Sequence, residues 1–189
     1  LLLQDVIHRF PEIEGVSCGA IVSTYQRLRV ENICLRLKLT PLSFLWQRNR
    51  TELLQEMIDN GIKAILVKVA GAGLSPYKHL GKDLDTMFPI LHTLHSRFGL
   101  DVCGEGGEYE TLVLDCSLFR YFLQLDETRV VRDAEDSEVG NLQILGAHPE
   151  GKNEGDREEF ERNYEATGYS IKKRIRSTSI SVSSSSLNT

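Results

Sequence analysis

Long apolar segments and an amino-terminal sorting signal are both missing from this sequence of 189 residues. The longest apolar runs, such as residues 64–67, fall far short of the roughly 20 residues that a membrane-spanning helix needs. The first five residues carry neither a basic region nor a small-residue cleavage site, so they do not resemble a secretory signal. We therefore expect no membrane partner and a cytoplasmic location.

Cysteine is sparse and scattered. The four cysteines, at positions 18, 34, 103 and 116, form no Cys-x-x-Cys pair. This spacing argues against a disulfide scaffold and against a cysteine-rich zinc site. The sequence also starts without methionine, which leads us to expect that it begins inside a longer protein.

Charge divides the chain into blocks. Residues 1–132 carry 16 acidic and 15 basic residues, whereas residues 133–165 carry 11 acidic and 3 basic ones. Residues 171–189 contain 4 bases, no acids and 7 serines. Such blocks bury too little apolar surface to offset the entropy of ordering. We therefore predict a folded domain over 1–132 and a disordered linker or tail over 133–189, whose short basic cluster is a solvated tail rather than a specific nucleic-acid site.

Apolar runs and helical patterns alternate along the front of the chain. Runs typical of strands lie at 17–22, 41–46, 64–69, 102–103, 109–114, 122–125 and 128–131. Helical patterns cover 25–37, 52–58 and 84–98. This alternation predicts an α/β fold with a mainly parallel sheet and helices on both faces. Ligands bind beyond the carboxyl ends of strands in such sheets, where we expect the glycine-containing loops 71–76 and 104–107.

Residues 104–111, GEGGEYET, are the most informative stretch of the sequence. The glycines permit a tight turn, and strand alternation beyond Gly107 predicts Glu108 and Glu110 on one side. Clustered carboxylates repel one another, so one of them could serve as an acid or base. The set could instead hold a cation, or it could be a solvated turn that enters an edge strand. The pattern is neither a Walker loop nor a dinucleotide fingerprint.

Three further groups are candidates for binding. Residues 23–29 pass from a predicted strand into a helix, whose start could receive an anion with help from nearby arginines, although a simple capped helix explains the same pattern. Trp46 could line a pocket or lie in the core. His92 and His95 have a spacing that suits a metal, but no third ligand lies nearby in sequence, so we expect structural histidines and no metal site.

Four segments together resemble the diphthine–ammonia ligase family over about residues 14–119. They are STYQRLRVE at 23–31, LWQR at 45–48, HLGK at 79–82 and CGEGGEYET at 103–111. The last of these is highly specific, whereas each of the others alone would be a weak signal. The resemblance implies a nucleotide alpha-hydrolase fold of the ATP-pyrophosphatase type, of which residues 1–132 would be the carboxyl-terminal portion.

The resemblance also implies an activity: AMP-forming carbon–nitrogen ligation, in which ATP with Mg²⁺ activates the carboxylate of diphthine on elongation factor 2 and ammonium supplies the amide nitrogen of diphthamide. The implied candidate catalytic residues are Glu105, Glu108 and Glu110. The implied substrate-binding residues are Gly104, Gly106, Gly107, Tyr109, Thr111 and Trp46. The implied nucleotide-binding residues are Ser23, Tyr25, Gln26, Arg27 and Arg29.

One expected element is missing from the sequence. Members of this family begin with a strand and a Ser-Gly-Gly-Lys-Asp-Ser loop that holds the ATP phosphates, and no such loop occurs here. We therefore expect an amino-terminally truncated ligase domain that makes little diphthamide alone. The alternative is a non-catalytic substrate-binding remnant that does not bind nucleotide. Some eukaryotic relatives continue into further domains, so residues 133–189 could be a linker toward one.

Overall fold

A computed structural model describes residues 2–156, 158 and 162 of the chain. Its helices are α1 (Leu2–Arg9), α2 (Thr24–Leu37), α3 (Arg50–Asp59), α4 (Pro76–His79) and α5 (Leu84–Phe98). Its strands are β1 (Gly15–Ser17), β2 (Thr40–Leu42), β3 (Lys63–Ala70), β4 (Tyr109–Asp115), β5 (Tyr121–Arg132) and β6 (Val139–Gly151). In this part of the chain, no helix is both long enough and apolar enough to span a membrane.

The first unit is a strand–helix–strand crossover. β1 and β2 pair in parallel, and α2 connects them. Ser23 caps α2 by accepting a hydrogen bond from the Gln26 N–H at 3.3 Å, as the sequence predicts. The two strands are shorter than predicted, because the chain leaves the sheet after Ser17 and after Leu42. The apolar residues that follow β1 nevertheless enter the core, and Ala20 and Ile21 are buried.

The larger sheet corrects the prediction of a mainly parallel architecture. Its four strands have the order β4-β3-β6-β5, and every neighbouring pair is antiparallel. The sequence of β3 suggested a parallel strand because it is almost uniformly apolar. Its residues Ala64, Ile65 and Leu66 are consecutive and all buried, because β3 lies inside the sheet and against α5. Burial on both faces, rather than strand direction, explains the pattern.

The segment predicted to be a disordered tail contains a long strand. β6 pairs with β5 from Arg132↔Gly140 to Tyr121↔Gly151, and its first residues also pair with the end of β3. The expectation of disorder is therefore wrong for residues 139–151. Backbone pairing, together with buried Gly140, offsets the low apolar content that motivated the prediction. The basic cluster at 172–176 lies outside the described residues.

The main core lies between β3 and α5. Val69 on the strand and Met87 and Leu91 on the helix are fully buried. The helix was predicted at its observed bounds, and it ends at Gly99, which adopts φ +71°. Residues 100–108 then return to the sheet edge at which β3 ends. This return places residues 104–107 at the start of β4.

Candidate functional site

The two glycine-containing loops meet at one edge of the sheet. Because β3 and β4 are antiparallel, the end of β3 lies beside the start of β4, and Val69 pairs with Tyr109. The Ala70 N–H donates to the Glu108 carbonyl at 2.7 Å, which joins loop 71–76 to the start of β4. The two loops are therefore neighbours, as predicted. Loop 104–107, however, precedes the amino end of β4 and does not follow the carboxyl end of a strand, because β3 and β4 are antiparallel.

Residues 104–108, which we call the acidic bend, form a tight turn. The Gly107 N–H donates to the Gly104 carbonyl at 2.9 Å. Gly104 has φ +73°, and a Cβ atom there would lie 2.9 Å from the backbone oxygen of Tyr109. Both the backbone angle and the close approach require glycine at this position.

The three glutamates have different surroundings. Glu108 turns inward: its Oε1 accepts the Asp101 N–H at 2.9 Å, and its Oε2 is buried with no hydrogen-bond partner among the described residues. Glu110 is exposed and pairs with Lys68 across the sheet at 2.8 Å. The Glu110 carboxylate favours the charged ammonium, so it raises the pKa of Lys68. Glu105 is exposed.

Tyr109 lies in the core rather than on the surface. Its side chain is 5% exposed, and its hydroxyl donates to the buried Val102 carbonyl at 2.5 Å. Burial, followed by the nearby Cys103, Asp101 and Glu108, raises the pKa of this hydroxyl, so it remains a donor. The ring therefore packs in the core beside Gly104 of the acidic bend. Thr111, two positions further along β4, is exposed.

The predicted nucleotide end is the start of α2. The Ser23 hydroxyl is occupied as the helix cap, and Gln26 is exposed. Tyr25 is also exposed, and its hydroxyl accepts a hydrogen bond from Arg29 at 2.9 Å, so the two side chains form a surface pair. The guanidinium of Arg29 also lies 5.2 Å from the Tyr25 ring centroid.

Trp46 lies at this end as well. The guanidinium of Arg27 lies 4.2 Å from the centroid of the Trp46 ring, in cation–π contact. The Gln47 N–H donates to the Ile21 carbonyl at 2.8 Å, which holds the segment after β2 against the segment after β1. The structure thus groups Trp46, a predicted substrate-binding residue, with the predicted nucleotide-binding residues rather than with the bend.

A cavity of about 410 Å³ lies between these two regions. Its lining residues are Val22, Gln47, Arg48, Asn49, Arg50, Thr51, His95, Asp101 and Val102. Val22 immediately precedes the Ser23 cap, and Asp101 holds Glu108 of the acidic bend. The cavity therefore borders both predicted ends of the site.

The described lining of this cavity includes none of the predicted site residues. Arg50 and Asp101 are the two lining residues with the most direct link to the acidic bend. Their side chains form an ion pair that joins the start of α3 to the segment before the bend. They lie 51 positions apart, so no local pattern reveals the contact. The one available signal was that Asp101 lies two positions before the most specific motif, which starts at Cys103.

No candidate metal centre is found in the described ranges. Within them, no group of three or more histidine, cysteine, aspartate or glutamate side chains could hold an ion. The ring of His95 is hydrogen-bonded to the Leu100 carbonyl at 2.7 Å, and His92 packs edge-on against Phe88 at 4.5 Å. Both histidine rings thus contact other residues of the fold, and His95 also lines the cavity.

Comparison with known proteins shows strong similarity to one group of enzymes. The chain is 54% identical over 152 residues to a Bos taurus protein named diphthine–ammonia ligase, a match that covers 79% of this chain and 57% of the relative. Identity to the Homo sapiens protein of the same name is 53%, with the same coverage of both chains. The Schizosaccharomyces pombe protein of that name is 51% identical over 143 residues, covering 76% of this chain and 23% of the relative. The chain thus spans little more than half the length of its vertebrate relatives.

The family model described as diphthamide synthase C-terminal domain matches residues 49–144. This range runs from the cap of α3 into β6, so it contains the acidic bend, strands β3 to β5 and the first part of β6. It also extends past the predicted domain end at residue 132. Because the match covers just over half of the sequence, the chain belongs to the diphthamide synthase C-terminal domain family.

Proposed function

We propose that this chain forms the substrate-binding part of a diphthine–ammonia ligase. The reaction would be the ATP-dependent amidation of diphthine on elongation factor 2, in the cytoplasm, with ammonium as nitrogen donor. The observation that carries the proposal is the cavity that borders both the start of α2 and the segment holding the acidic bend. A ligase of this kind must bring the carboxylate of its substrate next to the α-phosphate of ATP, so its two binding regions have to border one space.

The chemistry has two steps. A carboxylate oxygen of diphthine attacks the α-phosphorus of ATP, and pyrophosphate leaves. Ammonia then attacks the carbonyl carbon of the acyl-adenylate, AMP leaves with its oxygen, and the nitrogen loses a proton. Both steps demand that the reactants are oriented and that water is kept from the acyl-adenylate. The cavity beside the acidic bend would serve the first demand, the orientation of the reactants.

The acidic bend suits the charge of the substrate. Diphthine carries a trimethylammonium group, which carboxylates and aromatic faces attract. Glu105 is exposed, so its carboxylate can meet such a cation directly. The Oε2 atom of Glu108 is buried and lacks a hydrogen-bond partner among the described residues, so Glu108 would act on the cation through its charge rather than by contact at that atom. We assign Glu105 and Glu108 to the substrate cation, Glu110 and Thr111 to the margin of the site, and Tyr109 to support of the bend.

The triphosphate and Mg²⁺ fit this chain poorly. Near the start of α2, Ser23 caps the helix, Arg27 stacks on Trp46, and Arg29 bonds to Tyr25. These contacts leave an aromatic and cationic surface suited to a base or ribose, but no glycine-rich cradle for phosphates. We propose that the phosphates and Mg²⁺ are held by a loop that this sequence does not contain.

A reconstitution experiment tests the proposal. The chain is joined behind the phosphate-binding segment of the bovine relative, and conversion of diphthine-bearing elongation factor 2 is followed with ATP and ammonium. We expect turnover by the joined protein and little or none by the chain alone. In the joined protein, Glu108→Gln should lower kcat by about 10² or more, because a pre-positioned charge is lost, while the affinity for ATP stays within about twofold.

Glu150→Gln is the matched control, because Glu150 is exposed at the far end of β6. Full activity of the unjoined chain would refute the assignment of the phosphates to another segment. Equal loss of turnover and ATP affinity in Glu108→Gln would refute the assignment of the bend to the substrate. Binding of elongation factor 2 with no effect of ATP on any joined form would instead favour the non-catalytic alternative.

A further inference from the structure

Asp101 makes more polar contacts than any other residue beside the acidic bend that we describe. Its N–H donates to Glu108 Oε1 at 2.9 Å, and its carbonyl accepts the Gly104 N–H at 2.9 Å. Its carboxylate accepts the Cys103 N–H at 2.9 Å through Oδ1 and the Arg50 guanidinium through Oδ2. The side chain is only 10% exposed, so water screens these contacts weakly.

Three of these contacts shape the bend itself. The bonds to Cys103 and Gly104 fold the backbone immediately before Glu105. The bond from the Asp101 N–H holds the Glu108 carboxylate inward. A displacement of Asp101 would therefore move both ends of the acidic bend.

The remaining contact reaches a different element. Arg50 is the first residue of α3, and its guanidinium pairs with Asp101. The Arg50 carbonyl also accepts the thiol hydrogen of Cys103 at 3.2 Å. Burial, then Asp101 and Glu105, raises the pKa of that thiol to about 11, so the donor hydrogen is retained at neutral pH. Two contacts thus fasten the bend to the wall of the cavity.

We propose that Asp101 is a positioning residue, which fixes the acidic bend to the start of α3 and so sets the place of Glu108 relative to the cavity. This inference rests on the proposed function, since it assumes that Glu108 receives the substrate cation. Arg50 is the partner through which the position is transmitted. Neither residue touches the reacting atoms in this account.

Asp101→Asn in the joined protein of the reconstitution experiment tests the proposal. Asparagine keeps an oxygen for the Cys103 N–H, but its amide hydrogens oppose the donors of Arg50, so the link to α3 is lost while the local turn is kept. We expect kcat for the diphthine substrate to fall about 10- to 100-fold, because small displacements of a positioned group carry such costs. The KM for ATP should stay within about twofold.

A double-mutant cycle separates positioning from a general structural role. If Asp101 acts through Glu108, adding Asp101→Asn to Glu108→Gln should cost no more than about twofold further. Activity of Asp101→Asn within twofold of wild type overturns the proposal. The proposal also fails if Asp101→Asn lowers kcat by the same factor in the Glu108→Gln variant as it does in the wild type. A raised KM for ATP overturns it as well.

A second pair of variants keeps the test decisive if Asp101→Asn fails to fold. Arg50 is 43% exposed, so Arg50→Met and Arg50→Lys disturb the core less. We expect Arg50→Lys, which keeps the charge, to retain more activity than Arg50→Met, and the same cycle with Glu108→Gln to be non-additive. Equal activity of the two variants overturns the proposal.

Amide hydrogen exchange gives a readout that does not depend on the reaction. Asp101→Asn should exchange faster than wild type at residues 101–109 and at the start of α3. Asp85→Asn, the same change at an exposed position at the start of α5, should leave these segments unchanged. Unaltered exchange in Asp101→Asn overturns the positioning role. If exchange rises but the joined protein with wild-type residues has no activity on diphthine, the proposed function fails and the structural link stands.

Discussion

At the scale of single residues, the acidic bend depends on buried contacts beneath it. Tyr109 is the clearest case, because its ring lies in the core and its hydroxyl holds the Val102 carbonyl. The sequence suggested an aromatic wall for a cationic ligand. Strand alternation directs Tyr109 away from the exposed Glu110 and into the core, and so assigns it to packing.

Tyr109→Phe should lower the free energy of unfolding by about 1–2 kcal/mol. The change removes one hydrogen bond and leaves the buried Val102 carbonyl without its partner, while the ring still fills its space. Denaturant unfolding would measure the loss. Tyr121→Phe, at an exposed position on β5, is the matched control, and an equal effect of both changes would contradict the importance of the Val102 contact.

At the scale of elements, the last residue of the short helix α4, His79, makes a hydrogen bond back to the residue before the helix. His79 Nδ1 accepts the Ser75 N–H at 2.8 Å, which satisfies a backbone donor at the start of the helix. Only a ring that is unprotonated at Nδ1 can accept this bond. Burial, followed by the charge of Lys78, lowers the pKa of His79 from its ordinary value.

This lowered pKa predicts a pH dependence of stability. The unfolded chain binds a proton at His79 near pH 6.5, whereas the folded chain does so only at lower pH. The contribution is therefore complete above about pH 6.5 and is lost as the pH falls through the folded pKa. Thermal unfolding of His79→Asn, whose Oδ1 can still accept the bond, should show a smaller drop in Tm from pH 7.5 to 5 than wild type.

His148→Asn serves as the comparison for this experiment, since His148 is exposed and pairs with Asp126. That variant should not reproduce the smaller drop. If His79→Asn and wild type lose Tm in parallel over the same pH range, the neutral His79 ring is not a source of the pH dependence.

At the scale of the molecule, a buried ion pair connects the ends of two strands. Lys152 follows β6 and is 8% exposed, and its ammonium contacts Asp115 at 2.6 Å and the Cys116 carbonyl at 2.7 Å. Asp115 ends β4, which lies at the opposite edge of the four-stranded sheet from β5. The pair therefore holds the end of β6 near the end of β4. Lys152 lies outside the range matched by the family model, whereas Asp115 lies inside it.

Lys152→Ala should destabilise the fold by about 2–3 kcal/mol. Removal of the lysine leaves the Asp115 carboxylate without its partner. The loss of stability should be smaller than for a fully buried ion pair, because the Asp115 side chain is 21% exposed. Lys82→Ala, at an exposed position, should change stability by no more than about 0.5 kcal/mol. A similar urea midpoint for the two variants would show that Lys152 contributes no more than a surface lysine.

Local signals in the sequence were sufficient for the helices α2, α3 and α5 and for the turn of the acidic bend, whereas α1 and α4 were not predicted. Ser23 before α2, Gly99 after α5 and Gly104 in the bend each act within a few residues, and capping or backbone geometry alone predicts them. The strand β3 was also predicted from a local signal, because a short and almost continuous apolar run is typical of a buried strand.

The directions of the strands, the inclusion of β6 and the link between Asp101 and Arg50 depend on contacts between distant parts of the chain. An apolar strand has the same composition in a parallel and an antiparallel sheet when both its faces are buried. A polar strand such as β6 is stabilised by the backbone of its neighbours, which its own side chains do not reveal. A pair 51 positions apart becomes a contact only when the sheet and α3 have assembled.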